Sequence, residues 1–379
     1  MKKGIDPPKA IFYFPMWDIV NYTKILKYKD PGEIPLYLGN LGYQITFVTG
    51  MGKIDEDPIR KSIESGNVNR FSFLDNLKEI IFVILLSKEI NESNLVLILS
   101  SPPSAIVAAM IVKLTSLLDH ASEKRKVVLR MDTDGDIFKT MSKSVYYVFL
   151  LSIGAFFFDS IAVETTCAQK RLSKFCLRKE KIIMVPEGYS KRMYNIRPHN
   201  SLGRKNVILF VGRITWIKGI DVLVKAFHLI HTSYPNWSLR IAGPIEDEVY
   251  YKELELLTRE LSLGSKVDFL GKLSYDELRE EYHTASIFAF PSRSESFGIA
   301  RIEAIVNGLP VITTEAGCGK DLKGAVIIPY DDPPSLAKAL EYLISYPKTR
   351  SDLVEEGQRN ILSWEEATMG MIYGKQKDS

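Results

Sequence analysis

The chain has 379 residues, of which 46% are apolar and 25% charged, and a formal net charge of +3. This excludes disordered and fibrous classes and leaves room for two domains of about 150–200 residues each. Charge is spread unevenly, with 28 Lys+Arg against 21 Asp+Glu in residues 1–200 and 21 against 25 in the rest. A basic first half suits work near an anionic partner, such as a membrane surface or a phosphorylated acceptor, although moderate imbalance is also common in domains without one. Cys167, Cys176 and Cys318 form no C-x-x-C pair and leave an odd count, which argues against both a disulfide framework and a zinc site. The N-terminus lacks the apolar region and small-residue cleavage site of a secretory signal, so a cytoplasmic location is expected, at most at the cytoplasmic face of a membrane.

In chain order, β-rich runs occur at Ala10–Phe14, Gln44–Thr49, Leu95–Ser100, Lys126–Met131, Ser160–Val163 and Ile182–Val185. Asp30-Pro31-Gly32-Glu33 reads as an N-cap with proline at the first helical position and predicts a helix from Pro31 to about Leu41. Val145–Val163 is a nineteen-residue apolar run broken by Asp159, close to the ~20 residues a membrane span needs. Because Asp159 sits deep in it, a buried helix to about Phe157 followed by a strand is the favoured reading. A helix lying on a membrane surface is the alternative. After a polar stretch around Asn195–Lys205, strands recur at Val207–Val211, Ser238–Ala242, Val267–Leu270, Ile287–Phe290, Pro310–Thr313 and Ala325–Ile328. Helical spacing of apolar residues separates them, as in Leu223, Phe227 and Ile230, or Leu278, Tyr282 and Ala285. The alternation predicts two doubly wound α/β domains with a boundary near residue 200, and ligands are expected in post-strand loops facing a cleft.

Two loops stand out. Arg213 and Lys218 follow the strand Val207–Val211, and Lys218 precedes a helix N-terminus, where positive charge is disfavoured by roughly 0.3–1 kcal/mol. A diphosphate between them would explain the placement, with Gly212 and Gly219 allowing close backbone approach; solvated surface cations are the plain alternative. The second loop, Phe290-Pro-Ser-Arg-Ser-Glu-Ser-Phe-Gly, leads into a short helix and places Glu295 and Glu303 eight residues apart. Glu303 is flanked by Ile302, Ala304, Ile305 and Val306, so its carboxylate needs a partner: the hydroxyls of a sugar or ribose, or a structural Arg or Lys. The N–H groups around Phe297, Gly298 and Ile299 point from the helix N-terminus toward the same crevice.

These residues resemble the retaining GT-B glycosyltransferases of the family 4 type, glycosyl transferases group 1. The resemblance covers most of residues 205–375. It rests on Gly212-Arg213, Lys218-Gly219, Ile241-Ala-Gly243-Pro, Phe269-Leu-Gly-Lys272-Leu273, Pro291-Ser with the Glu295/Glu303 pair, and Gly308-Leu-Pro-Val. It implies two facing Rossmann-like domains with the active site in the cleft between them: 1–200 on the acceptor side, 201–362 on the donor side, and a last helix within 363–379 crossing back. Arg213 and Lys218 would hold the diphosphate of a UDP- or GDP-linked sugar. Glu295 would touch the transferred sugar, Glu303 the ribose, and backbone near Lys272 and Leu273 the base. Gly243, Ser296, Phe297, Gly298 and Ile299 complete the expected donor set. No metal or other cofactor is implied, and retention resembles a front-face reaction in which the leaving phosphate helps deprotonate the acceptor. The acceptor would be a sugar, a polysaccharide precursor or a lipid-linked hydroxyl, with peripheral membrane contact through the first domain and no nucleic acid.

The first half departs from the family: no glycine pair follows Phe14, and Glu187 stands where relatives commonly carry Asn. Asp132, Asp134 and Asp136 follow a strand and leave three readings, a Mg²⁺ or Mn²⁺ site as in the GT-A fold, simple turn chemistry, or acceptor or sugar contact. Two other functional readings remain open from sequence: a non-catalytic nucleotide-sugar-binding subunit, and a GT-B-like sugar epimerase or phosphorylase.

Overall fold

A computed structural model describes residues 7–14, 30–49, 68–72, 92–99, 110–114, 125–131, 149, 152–199 and 203–374. The chain divides into two compact units, Met1–Met193 with Leu362–Ser379, and Tyr194–Ile361.

In the first unit the described strands are β1 (Lys9–Phe14), β2 (Gln44–Thr49), β3 (Val68–Ser72), β4 (Leu95–Leu99), β5 (Lys126–Met131), β6 (Ser160–Val163) and β7 (Ile182–Met184). They form one sheet in the order β3-β2-β1-β4-β5-β6-β7, every pairing parallel. Strands buried on both faces read as unbroken apolar runs, and Leu-Val-Leu-Ile-Leu of β4 is buried at all five positions. Helix α1 (Asp30–Asn40) starts one residue earlier than its capping signal predicts and carries Pro35 inside it. β3 has no sequence signal: Val-Asn-Arg-Phe-Ser is mostly polar and becomes a strand by pairing with β2 at the sheet edge.

Within Val145–Val163, residues 152–154 are helical, 155–157 turn, and β6 follows. Asp159 sits at the start of β6, where one carboxylate oxygen accepts from the Val127 N–H at 2.8 Å and the Lys113 ammonium at 2.7 Å. Among the described residues no helix is long and apolar enough to cross a membrane. Helix α2 (Thr166–Leu172), capped by the Thr165 hydroxyl, leads through a turn to β7, and the two-residue β8 (Gly188–Tyr189) ends this stretch.

The second unit contains β9 (Val207–Val211), α3 (Ile220–Ile230), β10 (Ser238–Ala242), α4 (Glu248–Glu260), β11 (Val267–Gly271), α5 (Tyr275–Thr284), β12 (Ile287–Phe290), α6 (Ile299–Val306), β13 (Val311–Thr314), β14 (Ala325–Ile328), α7 (Pro333–Ser345) and α8 (Pro347–Asn360). Its parallel sheet has the order β11-β10-β9-β12-β13-β14. In both sheets the winding direction reverses beside the first strand, which is the doubly wound Rossmann order. In the second unit the reversal lies between β9 and β12, so the loops after those two strands flank the switch point where ligands bind in such sheets.

The chain then returns to the first unit. β15 (Leu362–Ser363) pairs with β8, and α9 (Trp364–Tyr373) follows behind a Ser363/Glu366 capping box. Trp364 is buried under the Arg130 guanidinium, 5.6 Å from the ring centroid, and the Ser160 hydroxyl donates to the Met371 carbonyl at 3.2 Å. Gly188 is enclosed at this junction, since a Cβ there would lie 2.5 Å from the Trp364 nitrogen.

Candidate active site of the second unit

The loop after β9 runs from Gly212 through a 3₁₀ turn, Trp216–Lys218, to Gly219, which opens α3. Gly219 has φ 66°, and a Cβ on it would fall 2.1 Å from the Pro291 carbonyl oxygen. Only glycine combines that left-handed conformation with such close approach. The loop after β10 closes in the same way, since a Cβ on Gly243 would lie 1.8 Å from the Gly212 carbonyl oxygen. The expected glycines therefore draw the post-strand loops of β9, β10 and β12 into backbone contact.

At this junction Lys218 and Glu295, 77 residues apart in sequence, form an ion pair through the ammonium and Oε1. Their side chains are only 11% and 8% exposed, and the Lys218 ammonium lies 5.4 Å from the centroid of the Phe290 ring. The two residues expected to hold diphosphate and sugar are thus adjacent, each neutralising the other. Arg213 lies apart from that pair: its side chain is largely exposed and bound to Glu246 at 2.7 Å. Lys272 and Leu273 fall in the loop between β11, the edge strand of the sheet, and α5.

Beyond Glu295 and Ser296, Phe297 is buried and Gly298, at φ 80°, is the N-cap of α6 without any side-chain cap. The first N–H groups of a helix have no intrahelical partner, so the N–H groups at Ile299 are ready to meet an anion. Glu303 lies in the second turn of α6, and the Tyr282 hydroxyl, a partner that sequence did not suggest, donates to its Oε2 at 3.0 Å. Burial first, and then the Glu303 charge, push the phenols of Tyr282 and Tyr194 well above their ordinary range, so both stay protonated.

Several positioning groups carried no sequence signal. Arg293 forks onto Asp221, Nη1 to Oδ1 and Nη2 to Oδ2 both at 3.0 Å, stacks on Trp216 at 4.4 Å and donates to the Trp216 carbonyl at 2.5 Å. Its own N–H donates to the Ile217 carbonyl at 2.7 Å, beside Lys218. Asp221 also accepts from the Tyr250 hydroxyl at 2.8 Å. Burial would raise the Asp221 pKa, but the hydrogen bonds from Arg293 and Tyr250 outweigh it and hold the carboxyl below its ordinary value. Arg301, buried in α6, donates to the carbonyls of Phe297 and of Ala316, the latter at 3.0 Å, fixing the turn ahead of the helix. Asp132, Asp134 and Asp136 lie outside the described residues.

A Rossmann-type sheet thus carries a buried cation–carboxylate pair and the N-terminus of α6 at its switch point. Residues 193–360, essentially the whole second unit, match the family described as Glycosyl transferases group 1. The chain is 32% identical over 176 residues to D-inositol 3-phosphate glycosyltransferase of Corynebacterium urealyticum, covering 44% of this chain and 42% of that protein. It is 25% identical over 214 residues to a component of the phosphatidylinositol N-acetylglucosaminyltransferase of Arabidopsis thaliana, covering 55% and 46%. The matches thus span less than half the length of these curated relatives. Among solved structures, Anabaena Alr3699/HepE in complex with UDP superposes with a TM-score of 0.68 at 16% identity, covering 96% of this chain and 95% of that one. The lipopolysaccharide outer core galactosyltransferase WaaB gives 0.68 at 14%, covering 97% and 100%. The fold is GT-B.

Proposed function

We propose that the protein is a retaining glycosyltransferase that moves a sugar from a nucleoside-diphosphate sugar to an acceptor hydroxyl without a metal ion. The observation that carries this reading is the apposition of Lys218 and Glu295 beside the uncapped N-terminus of α6. A bound donor would open the ion pair: Lys218 turns to the diphosphate, Glu295 accepts from sugar hydroxyls, and the N–H groups at Ile299 meet a phosphate oxygen. Arg213, held at the surface by Glu246, is free to exchange that partner for phosphate, and Glu303 for a ribose diol while Tyr282 orients it. Charge on the departing nucleoside diphosphate is then stabilised by fixed cations and amides. In the proposed front-face step the acceptor oxygen bonds to the anomeric carbon as the bond to phosphate breaks. The acceptor proton passes to the leaving phosphate.

A uridine donor is favoured because the Anabaena relative was solved with UDP, with UDP and glucose, and with UDP-glucose. A phosphorylated or lipid-linked acceptor fits the basic first half of the chain, and two relatives are named for inositol 3-phosphate and phosphatidylinositol. Such an acceptor would be met at a membrane surface by the first unit. Thermal shift with UDP, GDP and their sugars tests the donor: the matching ligand at about 100 times its Kd stabilises by about 2.7 kcal/mol. Transfer is then read as an acceptor-dependent product of increased mass with retained anomeric configuration. Donor binding with no transfer to any lipid-phosphate or sugar acceptor would reduce the protein to a binding role.

A further inference from the structure

The first unit turns a different surface outward at the N-terminal edges of β6 and β7. Phe156, in the turn before β6, is 50% exposed, and Leu177, before β7, is 67% exposed. The two segments form one surface. The Ser152 hydroxyl donates to the Phe175 carbonyl at 2.5 Å, the Lys181 ammonium donates to the Phe156 carbonyl at 3.1 Å, and the Arg178 guanidinium lies over the Phe156 ring at 5.5 Å. Lys170, Arg171, Lys174, Arg178, Lys179 and Lys181 crowd twelve residues that hold one acid, Glu180, itself paired with Arg178. The adjacent Asp159 is engaged by Lys113 and the Val127 N–H. Burial first, and then the neighbouring Arg178 charge, lower the Lys181 pKa, although Asp159 and Glu180 act the other way.

Exposed apolar tips rimmed by cations fit a boundary that is oily below and anionic above. A soluble acidic partner would satisfy the charges while leaving Phe156 and Leu177 unexplained. We propose that this face docks the protein on a bilayer bearing anionic lipids, with Phe156 and Leu177 entering the headgroup boundary and Lys174, Arg178 and Lys179 meeting lipid phosphates. The inference goes beyond the function proposed above, since this face lies at the N-terminal edges of the strands and not at the post-strand loops where ligands bind, and it does not depend on the transfer chemistry.

Flotation of the full chain with vesicles of phosphatidylcholine, alone or with about one third phosphatidylglycerol, tests it. The protein should float with the anionic vesicles only and be released as salt rises. Lys174→Gln with Lys179→Gln should lower partitioning about thirty-fold. Phe156→Ser with Leu177→Ser should lower it further at unchanged charge, with melting temperature as in the parent. Failure to float with either vesicle overturns the proposal, as do variants that partition like the parent. Retention on immobilised polyglutamate without flotation also overturns it and assigns the face to an acidic protein. UDP binding followed in the same samples reads the second unit, so failure of the donor site and failure of the docking face are told apart.

Discussion

The β9–β12 junction of the second unit and the 170–181 segment of the first both concentrate charge, but in opposite ways. At the junction each ion has a counter-ion or hydrogen-bond donor fixed by backbone geometry: Lys218 with Glu295, Arg293 with Asp221, and Glu303 under Tyr282. In the 170–181 segment six cations accompany one carboxylate and stand beside exposed apolar side chains. The first arrangement would suit a ligand of one shape, because every group already has a direction. The second recognises charge density and oil, and tolerates many arrangements of its partner. Single substitutions should therefore be severe at the junction and mild in the segment.

The largest expected effect is on turnover. Lys218→Ala or Glu295→Ala should reduce transfer about 10²–10³-fold, the scale of removing one preorganised stabilising group, while circular dichroism and cooperative melting remain. Undiminished turnover in either would place the chemistry elsewhere and end the comparison. Next comes the backbone contact beneath the pair. Gly219→Ala should cost about 2–4 kcal/mol in urea unfolding, because φ 66° and the Pro291 carbonyl both oppose a side chain.

A smaller loss is expected from Arg293→Gln. It leaves the half-buried Asp221 to the Tyr250 hydroxyl and Lys225 and frees the Trp216–Lys218 turn, so stability should fall by about 1–3 kcal/mol and the donor KM should rise more than kcat falls. Rescue by Asp221→Asn in the double variant would show that the carboxylate, and not the turn, carries the loss.

The smallest effect is a pH dependence of the second unit. Burial lowers the pKa values of His199 and His283 below 6.5, with Arg204 and Arg350 adding to the effect at His199 and Arg197 at His283. A histidine whose folded pKa is depressed leaves stability intact above its unfolded pKa and removes it as pH falls through the folded one. Melting temperature should therefore decline as pH drops below about 6.5, and His199→Gln with His283→Gln should flatten that slope.

Much of this molecule was legible locally. Strand and helix follow from hydrophobic period, and β2, β5, β6, β9, β10, β12 and β14 have the ends their apolar runs predict. The glycines at 212, 219 and 243 and the Glu295/Glu303 spacing also pointed to loops that the fold brings into contact. Reading failed where pairing, not composition, makes the element. β3 is polar and exists through β2, while β8 and β15 are two residues each and exist only through one another. The tyrosines on Glu303 escaped notice because Tyr282 has the spacing of an ordinary core residue, and Arg293 and Arg301 because an arginine in a loop or helix is usually solvated.

The sequence by itself determined two parallel α/β sheets and the glycine-bearing loops that follow their strands. These depend on periods and turns a few residues long. Only the tertiary structure decided that Lys218 neutralises Glu295 across 77 residues and that Arg293 clamps the turn beside Lys218. Such contacts are set by which strands lie side by side, and strand order is a property of the folded sheet that no local stretch of chain encodes.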